Sequence, residues 1–153
     1  MGPSDRALPE HTFWELIDLL GGRVDDEGVA RLSDALHHAG AQTAIAFAER
    51  LAAVLFDLDR EALAREPVRW SDAPQADPLP LSDDTFLYLR AGIVAAGRAE
   101  CAAVLADPVH VRTRLWDDGE VLLYVADDVV GQPVDTALSY ESASHTAHWP
   151  SLR

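Results

Sequence analysis

A chain of 153 residues, 48% of them hydrophobic and 25% charged, has single-domain length and ordinary globular composition. Folding a chain of this size buries about 70% of the surface its unfolded form exposes, so neither a disulfide nor a structural metal is required. Its 12 basic residues stand against 26 acidic ones, a net charge of −14 that disfavours nucleic-acid phosphates and anionic membranes as partners and favours a basic protein.

Phe13, Ile17 and Leu20 recur at i, i+4 and i+7 and predict a helix over 9–20, widened by Trp14 and stopped by Gly21 and Gly22. Asp25 and Asp26 are caps for a second helix, which carries Val29, Leu32 and Leu36 inward and closes at Gly40. A third, over 41–58, has an apolar stripe of Ile45, Ala48, Leu51, Ala52 and Leu55, widened by Phe47, Phe56 and Leu58. Pro67, Pro74, Pro78 and Pro80 then break the periodicity and predict a surface loop, into which Trp70 folds back as an apolar anchor. Ser82, Asp83 and Asp84 start the next helix, with Phe86, Leu89, Ile93 and Val94 on one side. Gly97 interrupts this run, which ends before Asp107 and Pro108.

Over 109–116, Val109, Val111, Thr113 and Leu115 alternate with polar residues, the period of a half-buried strand. Leu122, Val125, Ala126 and Val129 suit a helix over 120–130 ended by Gly131, with a hairpin turning at Asp117, Asp118 and Gly119 as the alternative. The expected fold class is mainly α, a single compact helical domain of about five helices over 1–131, with one short strand or hairpin near 109–116 left open. Residues 132–153 are expected to be an irregular C-terminal segment packing on that domain.

The stretch 82–98, SDDTFLYLRAGIVAAGR, resembles the central motif of the bacterial domain of unknown function 4240 family, S-D-D-x-F-x-Y-F-R-x-W-L-I-x-x-G-R. Ser82, Asp83, Asp84, Phe86, Tyr88, Arg90, Gly97 and Arg98 match, and Ile93 and Val94 are conservative changes. FWELID at 13–18, Asp107 with Pro108, and the closing WPSL fall where similar pieces occur in the family. The chain departs from the family at Gly92, where the motif has tryptophan, and over 67–80, where the family has a tryptophan- and alanine-rich helix ending in glycines. The resemblance implies a helical fold, and the loss here of any family pocket built on those aromatics; it implies no chemistry, because the family's function is unassigned.

Asp83, Asp84 and Arg90, with Tyr88 beside them, form the candidate ligand-binding group. A guanidinium between two carboxylates suits clamping an anion or holding one carboxylate ionised. The plainer alternative is helix capping by Ser82 and Asp83, with Arg90 paired to an acid of a neighbouring helix. His145 and His148, three apart in a polar tail, and the adjacent His37 and His38 do not make a metal motif. Cys101 lies in AECAAVL, where burial leaves a thiol inert. The pairs Asp25 and Asp26, Asp117 and Asp118, and Asp127 and Asp128 are expected on solvated turns or polar helix faces.

All 12 basic residues are arginine, which fits GC-rich bacterial codon usage and removes lysine-dependent Schiff-base and P-loop chemistry. No pattern points to a catalytic residue or a cofactor. A single cysteine, an N-terminus without an apolar signal core and the lack of any membrane-length apolar run point to the cytoplasm. The reading that follows is a non-catalytic binding or regulatory module whose acidic surface docks a basic protein. The alternatives are an immunity-type or nucleic-acid-mimic inhibitor of a basic protein, and a small-ligand binder or enzyme using Asp83, Asp84 and Arg90.

Overall fold

Each amphipathic run becomes a helix where the sequence supplies a start and a stop. In the computed structural model, which describes residues 6–142, α1 spans Glu10–Asp18, α2 Asp26–Ala39, α3 Ala41–Leu58 and α4 Glu61–Ala64. Further on, α5 spans Asp83–Ala95, α6 Arg98–Ala106 and α7 Val125–Val130, with 3-10 helices at Pro108–Thr113 and Glu120–Tyr124 between α6 and α7. Two starts are capped as expected: Asp25 accepts from the Gly28 N–H at 2.7 Å, and Ser82 and Thr85 form a reciprocal capping box. Gly97, at φ 111°, interrupts the run where the sequence suggests and divides it into α5 and α6, a backbone conformation that costs glycine little. That division and the single turn of α4 raise the helix count above the five expected. No described helix is long and apolar enough to cross a membrane.

The predicted stripes supply the core: Phe13 and Ile17 of α1, Leu32 and Leu36 of α2, Phe47, Leu51 and Leu55 of α3, and Phe86, Leu89 and Ile93 of α5 are all buried. Phe13 stacks edge-on to Trp14 at 5.0 Å and lies 5.1 Å from Phe47, joining α1 to α3. Nine of the 13 residues of α5 are buried, so this helix is enclosed on nearly all sides beyond its first turn. It packs against α1, α3, α6 and the second 3-10 helix.

The strand or hairpin near 109–116 does not form. Asp107 accepts from the Val109 N–H at 3.1 Å and Pro108 follows with a backbone angle suited to a first helical position, so the chain winds into the 3-10 helix Pro108–Thr113. Of the alternating set only Val111 is buried, while Val109 and Leu115 stay 45% and 39% exposed. Among the described residues extended pairing is confined to one parallel bridge between Trp70 and Trp116. There the Trp116 N–H donates to Arg69 O at 3.0 Å and the Ser71 N–H to Trp116 O at 2.9 Å. Trp116 is buried, its indole donating to Val111 O at 2.7 Å, and Trp70 is the half-buried anchor the sequence suggests.

Nor do Asp117, Asp118 and Gly119 turn a hairpin. They lie against α5 backbone to backbone, with the Gly119 N–H donating to Tyr88 O at 3.0 Å. A Cβ on Gly92 would sit 2.1 Å from Asp117 O, and one on Gly119 would sit 2.3 Å from Gly92 N. Glycine at both positions is therefore the condition for this contact. The helix expected over 120–130 forms in two pieces, the second 3-10 helix running into α7, which Gly131 ends in the left-handed region at φ 89°. Gly92→Ala and Gly119→Ala are each expected to cost about 1–3 kcal/mol in urea unfolding. Wild-type stability in either variant would show that the two backbones do not meet.

Candidate functional site

The candidate residues divide between two sides of α5. Phe86 and Arg90, one turn apart, face α3 and residues 140–142, where the backbone carbonyl of Asp83 also meets Ser142. Arg90 is 0% exposed. Its Nη1 donates to Leu55 O at 2.9 Å, and its Nη2 donates to Tyr140 O and to Ser142 Oγ, both at 3.0 Å. Ser142 in turn donates to the Asp83 carbonyl at 2.6 Å, and the guanidinium lies 4.8 Å from the Phe86 ring centre.

Burial pushes Arg90 down to about 10, opposed by the charges of Asp59 and Glu141, so the group remains cationic at neutral pH. Arginine with an acid of a neighbouring helix was the structural expectation; here backbone carbonyls hold its terminal nitrogens, and buried Asp59 just past α3 adds its field. With no solvent contact, this guanidinium serves as an internal clasp joining α3, α5 and the C-terminal segment. That segment is further held by the Ala137 N–H donating 3.2 Å to each carboxylate oxygen of buried Glu49.

Asp84 and Tyr88 occupy another side of α5, beside the second 3-10 helix. Partial removal from water pushes the Tyr88 phenol up to about 12, helped by a hydrogen bond to Glu120 and by the charges of Glu120 and Asp84. Tyr124 adjoins the same cluster and is 49% exposed. Asp84, Asp118, Glu120 and Asp128 are exposed around it. Behind Tyr124, a 400 Å³ recess is lined by Asp127, Asp128 and Pro133 among others. Two tyrosines framed by carboxylates are thus contributed by segments more than thirty positions apart. Glu120 and Tyr124 carry no motif; the signal for them was Gly92, whose missing side chain admits the loop that delivers them.

The other residues singled out by sequence stand as follows. Cys101 is buried and its thiol is pushed up to about 12, by burial first and Asp57 second, in keeping with an inert role. His37 and His38 are exposed at the end of α2, and His145, His148 and the WPSL stretch lie outside the described residues. Among the described residues no three His, Cys, Asp or Glu side chains gather as a metal site needs. Exposed Arg98 approaches Glu10 at 3.4 Å.

Two of the acidic pairs are more structural than expected. Asp117 accepts from the Val24 N–H at 2.8 Å and from the Ser71 hydroxyl, tying three loops, and Asp127 accepts from the Val134 N–H at 2.9 Å.

Arg90→Ala would leave the Leu55 and Tyr140 carbonyls without donors around a new cavity, and is expected to destabilise by about 3 kcal/mol or more. Arg90→Lys keeps the charge but not the planar fork and is expected to lie between the two. Chemical denaturation with amide exchange across 137–141 measures both, and unchanged protection there would refute the clasp. Because Tyr88 holds its proton above the ordinary phenol value of 10.0, its contribution to stability is full below about 10 and is lost as pH rises toward about 12. Tyr88→Phe is expected to remove that part of the alkaline decline, leaving the part due to Tyr140, whose burial raises its pKa in the same direction.

The family model described as a protein of unknown function, DUF4240, matches residues 8–131, the stretch that contains α1 to α7. No curated protein and no solved structure matches the chain. With most of its length matched, and with the buried motif arginine at its centre, the chain belongs to the DUF4240 family.

Proposed function

We propose that this protein is a non-catalytic binding or regulatory module, and that the surface formed by Asp84, Tyr88, Glu120 and Tyr124 docks a basic segment of a partner protein. One observation carries the reading: two tyrosines lie among carboxylates on adjoining elements, with Tyr124 half exposed. This is chemistry suited to lysine and arginine, whose cations are attracted both to aromatic faces and to carboxylates. Exposed carboxylates occur from α1 to Asp135, so charge alone selects no face; the tyrosines do. The net charge of −14 supplies long-range attraction for a basic partner, and Tyr124 with the exposed Val121 supplies contact area that becomes desolvated on docking. Asp84 and Tyr88 are on this surface, whereas Arg90 acts from inside the fold to hold α5 in place. A lone buried thiol suits work in a reducing cytoplasm.

Pull-down from a GC-rich bacterial lysate is expected to retain a basic protein at low salt and release it at high salt. Tyr124→Ala combined with Glu120→Gln is expected to weaken that retention about tenfold or more. Retention of no partner in either condition, or undiminished retention by the double variant, would overturn the proposal.

A further inference from the structure

The arginines of this acidic chain are unevenly placed. Arg69, Arg112 and Arg114 line one groove of 290 Å³, walled by Pro67 and Pro78, and every charged residue lining it is arginine. The groove exists because of the Trp70–Trp116 bridge: its two hydrogen bonds fasten the proline-rich segment to the chain leaving the first 3-10 helix, placing Arg69 beside residues more than forty positions away.

Each guanidinium is oriented through a single donor. Arg114 Nε donates to Leu115 O at 3.1 Å while its guanidinium stacks 4.6 Å from the Trp116 ring centre. Arg69 Nη1 donates to Ala76 O at 3.3 Å, and Arg112 Nε donates to Glu66. Arginine has five N–H donors, so among the described residues each side chain keeps most of them available while its direction is set.

We infer that this groove is a binding site for a small phosphorylated molecule, whose phosphate is held by Arg69, Arg112 and Arg114. Guanidinium forks match the oxygens of phosphate in pairs, and the three arginines that line this groove outnumber the single carboxylate of Glu66, which pairs with Arg112. The net charge of the chain repels anions at long range, yet screening shortens that repulsion to about 8 Å at physiological ionic strength, within which the local cations dominate. A neighbouring cavity of 310 Å³ shares Pro67 and Pro78 and continues along Leu79, Pro80 and Leu81. Its prolines, with Ala64, Leu79 and Leu81, offer apolar contact for the remainder of the molecule, while Glu66, on its wall, pairs with Arg112. Its own arginine, Arg65, is paired with Glu61 at 2.8 Å.

Titrating the full chain with pyrophosphate at constant ionic strength, by calorimetry and by arginine Nε–Hε resonances, is expected to give saturable one-to-one binding with shifts at Arg69, Arg112 and Arg114. Arg69→Gln and Arg114→Gln should each weaken it about tenfold or more. Arg114→Lys, which keeps a cation on Trp116 and so protects the fold, should weaken it less, and Arg23→Gln, beside Asp25 on the surface, should leave it unchanged. Unfolding curves for each variant separate loss of binding from loss of structure. No saturation up to about 10 mM, equal weakening by Arg23→Gln, or tighter binding of citrate than of pyrophosphate would each overturn the inference.

Discussion

A guanidinium enclosed in a helical core must be met by oxygen atoms, because an ion removed from water without partners costs several kcal/mol. Arg90 imposes that condition on everything around it. The end of α3 has to present the Leu55 carbonyl, the chain after α7 has to return far enough to present Tyr140 and Ser142, and α5 has to point the side chain between them. Phe86, one turn back, supplies the ring face against which the cation rests. The hydrogen bonds thus determine where a non-helical segment lies, which apolar packing alone specifies weakly.

A second constraint acts on another side of the same helix. Gly92 and Gly119 let two backbones touch, and that contact carries the 3-10 helix Glu120–Tyr124 with its acids and tyrosine up to Asp84 and Tyr88. So α5 separates two tasks: the Arg90 side is closed and holds the fold, while the Tyr88 side stays in reach of solvent. The arginine groove is built from other elements, the proline-rich loop and the first 3-10 helix with the chain that leaves it. Exposed carboxylates beside Tyr88 and the arginines of the groove are thus both carried on segments that the helices hold in place.

Much of the helical frame was legible in the sequence, because stripes at three and four residue spacing, caps at Asp25 and Ser82, and breaks at Gly40 and Gly97 are local signals. The segment 109–116 misled because alternation is also what a tight helix shows when only Val111 is turned inward, and the deciding atoms were the Asp107 carboxylate and the Pro108 ring just before it. Of the candidate site, the motif singled out Arg90 and Tyr88 but not their opposite orientations. A guanidinium that looks free to clamp an anion is taken up by carbonyls 35 to 50 positions distant, which no local pattern encodes. Glu120, Tyr124 and the three groove arginines were missed for the same reason: each owes its place to a backbone contact between remote loops.

The family match ends at Gly131, yet two of the acceptors for Arg90 come after it. A chain cut at that boundary would keep every described helix and lose the Tyr140 carbonyl and the Ser142 hydroxyl, leaving the guanidinium its hydrogen bond to Leu55 O, the Phe86 ring and the field of Asp59. Two of the three oxygens that meet this cation therefore lie beyond the matched stretch, so the helical core draws on a segment outside the region of family similarity.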